Sequence, residues 1–136
     1  MAPPRKKHYH SVALQQRFTQ ERFPQFQYSR EKATWTGGLK PKANSPTYIV
    51  CITYRLYERP KVSVIRPSLH PDAPHTYSDR TLCLYYPDDK SWDYQKFLAQ
   101  TILLWTMEWL YFYELWLATG KWYRPEVLHS GMKPSA

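Results

Sequence analysis

Cys83 lies in PHTYSDRTLCLYYPDD (74–89), between two leucines in a short run with strand character. His75 precedes it by eight residues, Asp79 lies between them, and Asp88 and Asp89 follow. A thiolate is a strong nucleophile, but a free cysteine with a pKa of about 8.5 is only slightly ionised at neutral pH. A loop folded back on itself would bring the His75 imidazole near the sulfur. There it could act as a base, or as a donor to an oxyanion on a carbonyl under attack. That is acyl transfer through a thioester. The competing reading of the same residues is structural, with Cys83 as a small buried hydrophobe.

The remaining candidates are weaker. Cys51 sits inside YIVCITY and reads as a packed core residue. Two cysteines without a CxxC pair argue against a zinc site, and no metal ligand set is expected. No glycine-rich phosphate loop is present, so no cofactor is expected and the chain cannot activate an acyl group with ATP alone. It must receive an acyl group already activated elsewhere.

The elements that must position Cys83 follow from patterning. SVALQQRFTQERF (11–23) carries Val12, Leu14, Phe18 and Phe23 as a modest helical stripe, and Pro24 ends it. ATWTGGLKP (33–41) reads as a first strand and turn, TYIVCITYRLY (47–57) as a buried strand, and KVSVI (61–65) as a third. Short connections make an antiparallel meander the economical arrangement. Residues 66–82, with three prolines, form a long loop leading into Cys83. From Trp92 to Thr119 there is no Gly or Pro, and Phe97, Trp105, Trp109, Phe112 and Trp116 recur at helical spacings. This predicts a long C-terminal helix covering the sheet, capped at its start by Ser91 or Asp93 and at its end by Gly120. Leu98, Ile102, Leu103, Leu110 and Leu117 would fill its adjoining face. The class is α+β.

Composition bounds the partners. At 136 residues the chain suits one domain, with residues 1–10 as a flexible basic arm and 11–136 as the folded unit. Of its formal charge of +8, residues 1–42 carry nine Lys or Arg against two acids, and the rest is nearly balanced. Such an arm fits nucleic acid, an acidic protein surface, or a solvated tail. No aromatic–basic motif of a nucleic-acid reader accompanies it, so nucleic acid is disfavoured. TILLWTMEWLYFYELWLA (101–118) is interrupted by Glu108 and Glu114. Each would cost about 2–3 kcal/mol at a bilayer centre, so no membrane span is expected. With no apolar stretch after the basic N-terminus and only two cysteines, a reducing, cytoplasmic setting is expected.

The order of these motifs resembles the ubiquitin-conjugating (UBC) fold. More closely, it is similar to the bacterial ubiquitin-conjugating-like proteins encoded with cGAS-like nucleotidyltransferases in CBASS antiphage operons. The likeness runs from about residue 11 to 129. WTGGLKP (35–41) resembles the first-strand W-x-G-x-I-x-G-P pattern, and PKVSVIRPSLHPD (60–72) resembles P-K-V-x-F-x-T-x-I-x-H-P-N. Cys83 in T-L-C-L matches the active-site G-x-I-C-L, and Trp92 matches the tryptophan that follows it. LLWTMEWLYFYELWLATGKWYRPEVLH (103–129) is similar to the bacterial subgroup's W-T-x-E-W-L-x-x-Y-E-x-W-x-x-T-G-x-W.

The resemblance implies a UBC-like domain and a thioester-carrying acyltransferase. Cys83 would accept an acyl group, the C-terminus of a cGAS-like nucleotidyltransferase, and pass it to an amine or thiol in antiviral defence. The family asparagine lies eight residues before the cysteine. Here HPD (70–72) is eleven to thirteen residues before it, and position eight is His75. The asparagine's support of loop and oxyanion is therefore implied for His75, with Asp72 as the rival and Asp79 as a further loop candidate. The family glycine before the cysteine is Arg80 here. Asp88 or Asp89 would stand near the acidic residue that orients an incoming amine. Basic residues on the first helix dock an activating, adenylating enzyme in the family, which implies such a role for Arg17 and Arg22, with Arg5, Lys6 and Lys7 in support. The alternative is a noncatalytic UBC-like interaction module binding the nucleotidyltransferase or its partners.

Overall fold

A computed structural model describes residues 11–55, 58–84 and 96–123. Helix α1 (Val12–Arg22) leads into four strands, β1 (Gln27–Ser29), β2 (Thr34–Leu39), β3 (Tyr48–Thr53) and β4 (Lys61–Arg66). An irregular segment carries Cys83, and a 3₁₀ turn (Leu98–Gln100) precedes α2 (Ile102–Thr119). The strands form one antiparallel sheet in the order β1-β2-β3-β4. The meander and the α+β class are as the sequence predicts, with one short edge strand, β1, ahead of the expected first strand.

The sheet has one closed face. In β3 the buried positions are Tyr48, Val50 and Ile52, alternating with half-buried Ile49, Cys51 and Thr53. Trp35, Val62, Ile102, Leu103, Trp109 and Leu110 join the buried set in a single core. Cys51 therefore lies on the other face, between Thr36 and Ser63 in register, and not in the core as its neighbours suggest. At Gly37 an added Cβ would lie 2.9 Å from the Phe26 main chain, so the glycine of WTGGL admits buried Phe26 against β2.

The two helices differ from their sequence readings. The buried residues of α1 are polar, Gln15 and Thr19, whereas Leu14 is exposed. Gln15 donates from Nε2 to the Lys96 carbonyl at 3.0 Å and accepts the Leu98 N–H at 2.9 Å. Gln16 Oε1 accepts the Trp35 indole N–H. Val12 and Phe23 of the expected stripe pack against the core, but the glutamine hydrogen bonds that complete this face were not visible to hydrophobic periodicity. Helix α2 starts at Ile102, about ten residues later than expected, and its first turn has no side-chain cap. Ser91 and Asp93 lie outside the described residues, and Phe97 precedes the helix, its ring stacked 3.8 Å from Phe18. Leu98, Ile102, Leu103 and Leu110 are buried as expected, but Leu117 is 51% exposed. Gly120 ends α2 in the left-handed conformation, φ 78°, with its N–H on the Trp116 carbonyl at 2.8 Å.

Glu114 interrupts the apolar helix because it has partners. Ser45 donates to its Oε1 at 2.7 Å and Tyr48 to its Oε2 at 2.9 Å, with Lys42 Nζ at 3.7 Å. The network ties α2 to the β2–β3 turn. Among the described residues no helix is long and apolar enough to cross a membrane.

Candidate functional site

The segment before Cys83 folds into a small two-stranded ribbon. Thr76 faces Leu82 across it. The Tyr77 N–H donates to the Thr81 carbonyl, and the Cys83 N–H to the His75 carbonyl, both at 2.8 Å. This register sets His75 directly opposite Cys83. Eight residues of sequence thus close to one cross-strand step, about 5.5 Å between Cα atoms in such a pair. The Leu82 N–H donates to the Val62 carbonyl at 2.8 Å, which hooks the ribbon to β4. Leu82 and Leu84 are buried, and Cys83 between them is half-buried.

The ribbon tip is built by Asp79 and Arg80. Asp79 Oδ1 accepts the Thr81 hydroxyl at 2.6 Å and the Thr81 N–H at 3.0 Å. Lys61 Nζ approaches Oδ2 at 3.5 Å. The Thr81 bonds, with the Lys61 charge adding, hold the Asp79 carboxyl below its ordinary value. Arg80 takes the left-handed conformation usually left to glycine, φ 70°. Such a conformation costs a non-glycine residue about 1–3 kcal/mol. Its guanidinium offsets this by donating to the Pro71 carbonyl at 3.0 Å and the His70 carbonyl at 3.3 Å. Arg80 thereby ties the HPD segment to the ribbon.

The aromatic residues of α2 hold the other side of this segment. The Trp109 indole N–H donates to the His75 carbonyl at 3.1 Å. One turn later, Tyr113 Oη accepts the His70 N–H at 2.8 Å. The Trp116 ring lies 5.3 Å from the His70 ring. Trp109 and Trp116 were read as helix covering, and Tyr113 was not singled out. Their polar handles were the available signal, because a buried indole or phenol needs a partner.

The expected site residues divide as follows. His75 and Cys83 are brought together. His75 is itself left-handed, φ 55°, and its carbonyl accepts from both Cys83 and Trp109. Asp72 is exposed in the turn before, its N–H on His70 Nδ1 at 3.0 Å. Asp79 is at the ribbon tip, two positions beyond the last paired residues. Asp88, Asp89, Arg5, Lys6 and Lys7 lie outside the described residues. Arg17 is exposed and pairs with Glu21 at 3.5 Å, and the Arg22 guanidinium lies over the Phe18 ring at 3.9 Å. A cavity of about 310 Å³ is lined by Pro60, Lys61, Tyr77, Thr81, Leu82 and Leu84, but not by Cys83. No cluster of potential metal ligands occurs among the described residues.

A helix, a four-stranded antiparallel meander, a cysteine ribbon hooked to its last strand and a covering helix can be compared with known families. A family model described as "Type II CBASS E2 protein" matches residues 10–130. The chain belongs to the E2-CBASS family. No curated protein matches it. Membership gives the chain an E2-like role in CBASS, and the UBC-like fold expected from the motif order accords with the architecture.

Proposed function

We propose that this E2-CBASS protein is a conjugating-type acyltransferase that carries its cargo as a thioester on Cys83. The cargo is the C-terminal carboxyl of a cGAS-like nucleotidyltransferase, delivered as an acyl adenylate or as a thioester by an activating partner. The Cys83 sulfur forms a bond to the acyl carbon, AMP or the partner's thiol leaves, and the thiol proton passes to solvent or a base. In the second step an amine or thiol attacks the same carbon. The C–S bond breaks, the Cys83 thiolate leaves, and the acceptor loses its proton.

The observation that carries this reading is the pairing of Cys83 with His75 in a ribbon braced from both sides. His75 supports the loop and the oxyanion that forms on the acyl carbonyl, a role worth several kcal/mol when the donor is fixed in advance. Asp72, one turn earlier, is the second candidate for that support. Cys83 does not line the cavity of about 310 Å³ beside the ribbon, which suits cargo and acceptor that are proteins. Asp88 or Asp89 orients the incoming amine. Arg17 and Arg22 on α1, with Arg5, Lys6 and Lys7, meet an acidic surface of the activating partner, where complementary charge speeds encounter. The setting is the bacterial cytoplasm.

The test is reconstitution with the nucleotidyltransferase, the activating partner and ATP, read on non-reducing gels. A thiol-sensitive adduct that is lost in Cys83→Ala and kept in Cys51→Ala is the expected result. Partners that co-purify without an adduct would replace the carrier with a noncatalytic interaction module.

A further inference from the structure

We infer that Trp122 is a positioning residue that latches His75 behind Cys83, an inference resting on the carrier reading above. The chain would naturally run outward from the end of α2. It is turned back instead. Gly120 adopts φ 78°, and Thr119 Oγ1 accepts the Lys121 N–H at 3.1 Å while donating to the Leu115 carbonyl at 2.8 Å. Of the three described residues after Gly120, Lys121 and Tyr123 are exposed and Trp122 alone is turned in.

The Trp122 ring comes to 5.0 Å from the His75 ring, 5.4 Å from Trp109 and 6.4 Å from Phe112. Its indole nitrogen and His75 Nε2 are both shut off from solvent. His75 is thereby gripped twice. Trp109 holds its carbonyl, which also receives the Cys83 N–H, and Trp122 holds its imidazole. A left-handed residue opposite the reacting thiol would otherwise be free to relax toward commoner backbone angles. The TGKW stretch (119–122) thus acts as a turn whose product is one indole placed on one imidazole.

Misplacing a reacting group by about 1 Å can cost about 10²-fold in rate. At saturating acyl donor, Trp122→Ala is expected to slow single-turnover loading of Cys83 by about 10–100-fold. Trp122→Phe, which keeps a ring on His75, should recover most of that loss. Gly120→Ala should lose loading as Trp122→Ala does. Its added Cβ meets nothing within 4 Å, so only the left-handed turn is penalised. It also serves as the second variant if Trp122→Ala does not fold.

The deciding comparison is with His75→Ala. If Trp122 acts through His75, the double variant loads no more slowly than His75→Ala alone, whereas a purely structural Trp122 gives multiplied losses. In the uncharged protein, the His75 Cε1–H resonance should shift in Trp122→Ala as the ring current is lost. A wild type that loads together with Trp122→Ala loading at the wild-type rate, or multiplied losses in the double variant, overturns the latch alone. A wild type that never loads overturns the carrier reading and the latch with it.

Discussion

His75 meets its neighbours through both its main chain and its ring, and the two can be separated. His75→Ala keeps the carbonyl that accepts from Cys83 and Trp109, so the ribbon should persist. Loss of the imidazole alone is expected to slow thioester formation by about 10²-fold, the usual cost of removing one oxyanion donor. Loading kinetics and a thermal melt of the same variant check both halves. Asp79 offers an independent probe of the ribbon. Its carboxyl lies below its ordinary value because Thr81 donates to it. A depressed carboxyl stabilises above its unfolded value, and that contribution is lost as pH falls through the folded one. Thr81→Val should therefore raise the Asp79 titration seen by NMR toward 3.8. At this scale the sequence offered only a loop able to fold back and bring His75 near Cys83; the ribbon that makes them cross-strand partners was not legible, because residues 66–82 read as irregular. Nor was the work of Arg80, because its left-handed backbone and its reach to two carbonyls depend on a segment ten residues away.

Three of the four strands were readable from period-two alternation and β-branched content, although β3 ends at Thr53, short of its expected bound, and the edge strand β1 was not read. The helices were less so. Val12 and Phe23 pack on the core as their stripe suggests, but α1 is also held by amide hydrogen bonds, which no hydrophobic count detects. Gln15→Leu, which leaves the Leu98 N–H and the Lys96 carbonyl without this partner, should destabilise the fold by about 2–4 kcal/mol in urea unfolding. In α2, Glu114, one of the two charges that break the apolar run, is part of a part-buried network. Tyr48 is held above its ordinary value of 10.0, first by burial and then by its bond to Glu114. A group raised in this way stabilises fully below its unfolded value and loses that contribution as pH rises above it. Glu114→Gln removes the carboxylate charge, so the Tyr48 phenol should ionise at lower pH in a spectrophotometric titration. The wild type should lose stability only well into the alkaline range. The late start of α2 was not legible, since the absence of Gly and Pro from Trp92 onward permits a helix without requiring one.

The molecule has a basic front and a nearly balanced body. Nine of its Lys and Arg precede residue 43, while the cysteine ribbon sits between the last strand and the covering helix. A carrier of protein cargo needs both an approach surface and a braced, accessible thiol. The order of motifs carried the fold and the family because each marks an element. The braces around the thiol had to be read from the folded chain. The most direct test is to map the covalent bond itself. Trypsin cuts after Arg80 and Lys90, so Cys83 lies in TLCLYYPDDK (81–90), whereas Cys51 lies in ANSPTYIVCITYR (43–55). After loading with the nucleotidyltransferase, activating partner and ATP, a non-reduced digest should be sequenced by tandem mass spectrometry. The prediction is a TLCLYYPDDK peptide joined through its sulfur to the carboxyl-terminal residue of the nucleotidyltransferase. An unmodified TLCLYYPDDK peptide, with the acyl group on Cys51, on a lysine or absent, would contradict the account.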